Sequence, residues 1–167
     1  MHVTVSSRHA LKLVGLKVVG RRSELSHRVP LAWTELVARA DTLPHRVDTN
    51  VFYGAFPESD HLGASEDGVY TYSVCAEVSE FGPLPRDFIT HVVPPRDYAM
   101  LRVVGTAEAI EAAYLGLADW LRDHCRTPDG EALALERYDV RKQRVTPPYT
   151  TFDYEILKPL RPEPPSR

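Results

Sequence analysis

The sequence predicts an α+β domain. It expects an antiparallel sheet with two main helices, built from tandem strand-helix-strand-strand repeats about a pseudo-twofold axis, and a central ligand cleft. Three observations carry this. Periodic segments run strand, helix, strand, strand, and then the same again. The spacings agree: the third element starts about 21 residues after the helix in the first half (30 to 51) and about 25 in the second (107 to 132). The fourth follows about 18 residues later (51 to 69) and about 19 later (132 to 151). Finally, neither half can bury a one-sided sheet alone, so the two must share a core.

Residues 1–8 read as a short arm. Residues 11–19 are aliphatic and β-branched, the composition of a first strand. Residues 30–40 read as a helix with Trp33, Leu36, Val37 and Ala40 on one face and Pro30 in its first turn. Residues 51–56 and 69–78 are strands, the latter with Tyr70, Tyr72, Val74 and Ala76 on one side. Between them Glu58, Asp60, Glu66 and Asp67 read as a solvated loop face. Residues 79–89 hold too much Pro and Gly for a regular element. A strand over 98–104 follows Pro94 and Pro95. Thr106 is placed to cap a helix with Glu108 and Glu111 in its first turns. Ile110, Ala113, Tyr114, Leu117, Trp120 and Leu121 form its apolar face. Pro128 to Gly130 makes a turn, and strands over 132–139 and 151–157 complete the second half. The single domain is expected to span 9–160, its repeats 9–78 and 97–160, with 161–167 a disordered Pro-rich tail.

The chain has 167 residues, a net charge of −3 and a pI near 6.2. No strong basic excess supports general nucleic-acid binding, and no apolar run approaches a membrane span. Lys12 and Lys17 interrupt the early apolar stretch, so no signal peptide is expected and the reading is cytoplasmic. Cys75 and Cys125 have no metal-type spacing and read as buried, reduced thiols. The seven histidines show no paired ligand spacing, so no metal and no cofactor is expected. Nucleophile elbows, phosphate loops and dinucleotide fingerprints do not occur. No helix-turn-helix fits before residue 10 or after residue 160, so direct DNA binding is not expected.

Glu136 is the unusual residue. It lies in Ala132-Leu-Ala-Leu-Glu-Arg-Tyr-Asp139, a short strand where burying a carboxylate needs a cation, a donor or a ligand. A solvated sheet face, or pairing with Arg102 or Arg137, is the plainer alternative. Aligning Val51 with Ala132 sets Ala55 opposite Glu136, so the repeat does not itself require an acid there.

The ordered set resembles the GyrI-like effector-binding domain family. The features are the duplicated element order, the helix Ala32-Trp-Thr-Glu-Leu36, and the run Val93-Pro-Pro-Arg-Asp-Tyr-Ala-Met-Leu-Arg-Val-Val-Gly105. Ala118-Asp-Trp-Leu121 and Leu135-Glu-Arg-Tyr-Asp139 then follow in order. Pro95-Arg96 and Gly105-Thr106 depart from the family's usual residues. The resemblance implies a pocket with Glu136 at its floor and aromatic walls. Candidate ligand-binding residues are Glu136, Trp33, Tyr72, Tyr98, Trp120, Tyr138, Tyr149 and Phe152. Core packing is the alternative for Trp33 and Trp120, and Tyr53 and Phe56 fit either role. The expected partner is a planar, partly apolar small molecule, neutral or cationic, bound by a stand-alone protein. A second expectation is a hydrolase of cyclopropane-bearing natural products, with Glu136 as base and Tyr72 or Tyr149 orienting the substrate. A third is a protein-interaction role such as gyrase inhibition, using surface acids.

Overall fold

A computed structural model describes residues 1–60 and 67–165. The elements are β1 (Thr4–Arg8), β2 (Leu11–Arg21), α1 (Arg22–Arg39), β3 (Val51–Pro57), β4 (Val69–Val78) and β5 (Ile89–Val93). They continue with β6 (Arg96–Gly105), α2 (Ala107–Asp123), β7 (Leu133–Asp139) and β8 (Phe152–Pro159). The strands make one antiparallel sheet in the order β1-β6-β8-β7-β3-β4-β2-β5, curled into a half-barrel. The β2-α1-β3-β4 and β6-α2-β7-β8 units repeat the same order, and β3 pairs with β7 where they meet.

Strand alternation divides the core. Val14, Phe52, Val74 and Ala76 face α1 and pack around Trp33 and Leu36. Leu101, Val103 and Ile156 face α2 and meet Ala113, Leu117 and Leu121. The opposite face is covered by the curl of the sheet itself, where Leu13, Tyr53, Cys75, Tyr98, Leu135 and Leu157 cluster. No helix is long and apolar enough to cross a membrane among the described residues.

Several expectations change. Helix α1 begins at Arg22, so Pro30 lies inside it rather than in its first turn. The apolar spacing of Leu25, Val29, Trp33 and Leu36 runs through Pro30, and packing outweighs the one missing N–H donor. Val37, placed on the apolar face by sequence, is exposed. The supposed arm contains β1, and the end of the supposed connector begins β5; both are edge strands of the sheet. Thr106 is at the N-cap position of α2, but its hydroxyl donates to the Glu108 carboxylate at 2.6 Å rather than accepting a backbone N–H. Cys75 is buried, whereas Cys125 is exposed just past α2 with a left-handed φ of 52°. Positions 166–167 of the tail, and His61, lie outside the described residues.

The acidic loop face is also corrected. Glu58 is buried and ion-pairs with Lys158 of β8. Burial pushes its carboxyl up, and Lys158 opposes that shift. Asp60 accepts the Thr71 N–H at 3.1 Å, Asp67 is exposed, and Glu66 lies outside the described residues. Because Glu58 has a raised folded-state pKa, its contribution to stability is present at low pH and lost as pH rises through that pKa. Lys158→Met is expected to lose about 3–5 kcal/mol at neutral pH, the usual penalty for orphaning one member of a buried pair. Urea melts should show this deficit shrinking toward acid pH, where Glu58 is neutral in both states.

Candidate ligand site

Glu136 sits at the middle of β7, with Gly54 of β3 and Ile156 of β8 as its cross-strand neighbours. Its position in the strand directs it to the helix side with Tyr138, while Leu135 belongs to the cluster on the other face. The glutamate is buried, at 8% exposure. Its partners are phenols. Tyr72 of β4 donates to Oε1 at 2.6 Å, and Tyr114 of α2 donates to Oε2 at 3.1 Å. The Tyr138 and Tyr154 phenols also lie near enough to favour its ionised form.

The arginines that sequence reasoning offered as partners are engaged elsewhere. Arg102 holds Asp153 through two contacts at 2.8 and 2.7 Å, and Arg137 donates to Glu155 at 2.9 Å. Among the described residues no basic group forms an ion pair with Glu136. Burial is the largest influence and raises the pKa of Glu136, while the four phenols pull it back without cancelling the shift. Burial and the neighbouring carboxylate also push Tyr72, Tyr114 and Tyr138 well upward, so these phenols stay protonated donors.

Gly54 explains how Tyr72 reaches across a strand. A side chain at Gly54 would begin where the Tyr72 hydroxyl lies. The bare backbone is the channel through which β4 delivers a phenol to β7. This also corrects the repeat alignment: Gly54 shares the face and register of Glu136, whereas Ala55 belongs to the opposite cluster.

The aromatic wall is built from both repeats. Phe56 stacks on Tyr72 at 5.8 Å, and Tyr138 stacks on Tyr154 at 4.9 Å. Trp33 meets Tyr138 edge-on at 5.5 Å. Two cavities converge on the carboxylate. The larger, about 400 Å3, is walled by Trp33, Tyr138, Tyr149, Phe152 and Tyr154. The smaller, about 190 Å3, is walled by Phe56, Tyr70 and Tyr114. Tyr72 and Glu136 border both.

Six of the sequence candidates are therefore brought together: Glu136, Trp33, Tyr72, Tyr138, Tyr149 and Phe152. Tyr149 donates its hydroxyl to the Val145 carbonyl at 2.7 Å, so its ring rather than its hydroxyl faces the cleft. Two candidates lie elsewhere. Tyr98 is buried in the cluster on the opposite face, because its place in β6 alternates it away from α2. Trp120 packs against the α2 core and stacks on His124 at 4.2 Å. Gly54, Tyr114 and Tyr154, which also neighbour Glu136, were not among the sequence candidates. A glycine inside an apolar strand signals a close approach, and Tyr154 lies two residues beyond Phe152, on the same strand face.

The chain belongs to the GyrI-like small molecule binding domain family, whose sequence model matches residues 1–161. The fold is similar to SAV2435, solved with tetraphenylphosphonium bound, at TM-score 0.66 and 15% identity, covering 96% of this chain and 94% of that one. It is similar to the EcmrR C-terminal domain at TM-score 0.67 and 16% identity, covering 96% and 97%. A hydrolase encoded by lin2189 of Listeria innocua aligns at TM-score 0.52 and 9% identity, covering 95% and 91%. At these identities the likeness concerns the fold. No curated protein matches the chain in sequence.

Gly54→Ala is expected to destabilise the protein by about 1–3 kcal/mol, the range for overpacking a core. In a Tyr72→Ala background the same change should have little effect, because the obstructing phenol is gone. A double-mutant cycle measured by chemical denaturation gives the coupling. Additive effects would show that Tyr72 does not occupy the space over Gly54.

Proposed function

We propose that the protein binds apolar, aromatic cations in the cleft above Glu136, as a receptor domain for small molecules. The observation that carries this reading is a buried carboxylate whose side-chain donors among the described residues are phenols, placed where two cavities rich in aromatic rings meet, with Arg22 lining both. A cation entering there supplies the missing opposite charge, and ring faces add roughly 0.5–2 kcal/mol per cation–π contact. Flat ligands also stack on such walls without a fixed hydrogen-bond pattern. The tetraphenylphosphonium bound by SAV2435 supports the choice of a bulky aromatic cation as probe.

A hydrolytic reading has one observation in its favour. Glu136 combines a raised proton affinity with a position at a cavity, which suits a base that takes a proton from water as the water oxygen bonds to a cyclopropane carbon and the ring C–C bond opens, its electron pair passing to the substrate's own conjugated acceptor group. Tyr72 is committed to Glu136 and Tyr149 to Val145, so substrate orientation would fall first to the aromatic walls. Binding requires fewer groups than turnover and is the favoured reading.

Tetraphenylphosphonium titrated into the protein should bind, and Glu136→Gln should weaken it by about tenfold or more, a loss of at least about 1.4 kcal/mol. Triphenylphosphine oxide, similar in shape but neutral, should bind both forms alike. Cation affinity requires the ionised carboxylate, whose pKa is raised. It should therefore climb with pH above the ordinary glutamate range and then level off. Equal cation affinity in both forms would reject the reading. Mass spectrometry of the recovered ligand separates binding from hydrolysis.

A further inference from the structure

The face of the sheet turned away from the helices holds a separate cavity of about 210 Å3, bordered by Arg8, Leu11, Tyr53, Glu77, Tyr98 and Leu157. Arg8 ends β1 and Glu77 lies in β4. Four strands separate β1 from β4 in the sheet, so only the curl brings these two residues onto one cavity.

Among the described residues neither charge is held in a salt bridge. One Arg8 Nη donates to the thioether of Met100 at 3.2 Å, a weak acceptor, and its Nε is buried with no acceptor. Among the described residues Arg8 has no ion pair, and neither has Glu77. Arg137, the other guanidinium near Tyr53 and Glu77, is taken by Glu155 at 2.9 Å. Burial pushes the Glu77 carboxyl up, Asp48 adds to this, and Arg137 only partly offsets it. Half-buried charges left without partners are unfavourable unless a ligand completes them. A lone anion would leave Glu77 unmet, and a lone cation would leave Arg8 unmet. Apart from His9 at its edge, the remaining lining is apolar or phenolic, and the volume is below the roughly 300–1,000 Å3 typical of drug-sized ligands.

We propose that this cavity is a second ligand site, for a small zwitterion with α-amino acid chemistry. Its carboxylate meets Arg8, its ammonium meets Glu77, and a short aliphatic side chain lies against Leu11, Leu135 and Leu157. The site is independent of the Glu136 cleft, which opens on the other face of the sheet.

Calorimetric titration with L-leucine, isocaproate and isopentylamine tests the proposal on the full chain. Leucine should bind, and both analogues, each lacking one charge, should bind at least about tenfold more weakly, as for loss of a charge-assisted contact. Arg8→Gln and Glu77→Gln should each weaken leucine by about the same factor, Arg8→Lys should retain part of the affinity, and Glu136→Gln should change nothing. Thermal melting of each variant separates lost binding from lost folding. No leucine binding to the wild-type protein overturns the proposal. So does isocaproate binding as tightly as leucine, which would mark a plain anion site. Leucine affinity lost in Glu136→Gln but kept in both Arg8→Gln and Glu77→Gln would place the ligand in the other cleft and also overturn it.

Discussion

A carboxylate surrounded by phenols is the constraint on which the helix-side architecture turns. Glu136 is withdrawn from water and has donors but no ion-paired cation among the described residues. Phenols suit this role better than arginine would. A guanidinium would fix the carboxylate in its ionised form and leave nothing for a ligand to add. Tyrosines donate to it without an opposite charge, so in the proposed site a cationic ligand would complete the electrostatics.

The delivery of those phenols ties the site to the fold. Tyr72 and Tyr138 come from strands of different repeats, Tyr114 from α2 and Tyr154 from β8. They converge because β3 and β7 pair at the junction of the repeats, and because Gly54 leaves the space that Tyr72 crosses. The first repeat thus offers an opening where the second offers an acid. Trp33 and Leu25 bring α1 over the same region, so both helices bear on the cleft walls.

Much of this was legible in the sequence because the signals were local. Alternating strands such as Val69–Val78 match their predicted bounds, and the acid within the apolar β7 stretch does lie at the cavities. Edge strands β1 and β5 were not legible: each is five residues long, and their order comes from pairing with one neighbour. Tyr98 falls on the other face of the sheet for a different reason. Aromatic character cannot tell which face of a curled sheet a side chain takes, and here both faces are buried. Glu58 read as solvated because its partner, Lys158, is a hundred positions away in the chain. Tyr114 looked like one more apolar helix residue, since only the tertiary fold reveals that its hydroxyl meets Glu136.

The central claim is that Glu136 is a desolvated acid awaiting a positive charge. The most direct measurement is its pKa, followed by carbon-detected NMR of the side-chain carboxyl, with and without saturating tetraphenylphosphonium. The free protein should titrate above the ordinary glutamate range, and the cation should move the midpoint downward. An ordinary pKa in the free protein, or a midpoint unmoved by the bound cation, would contradict the account.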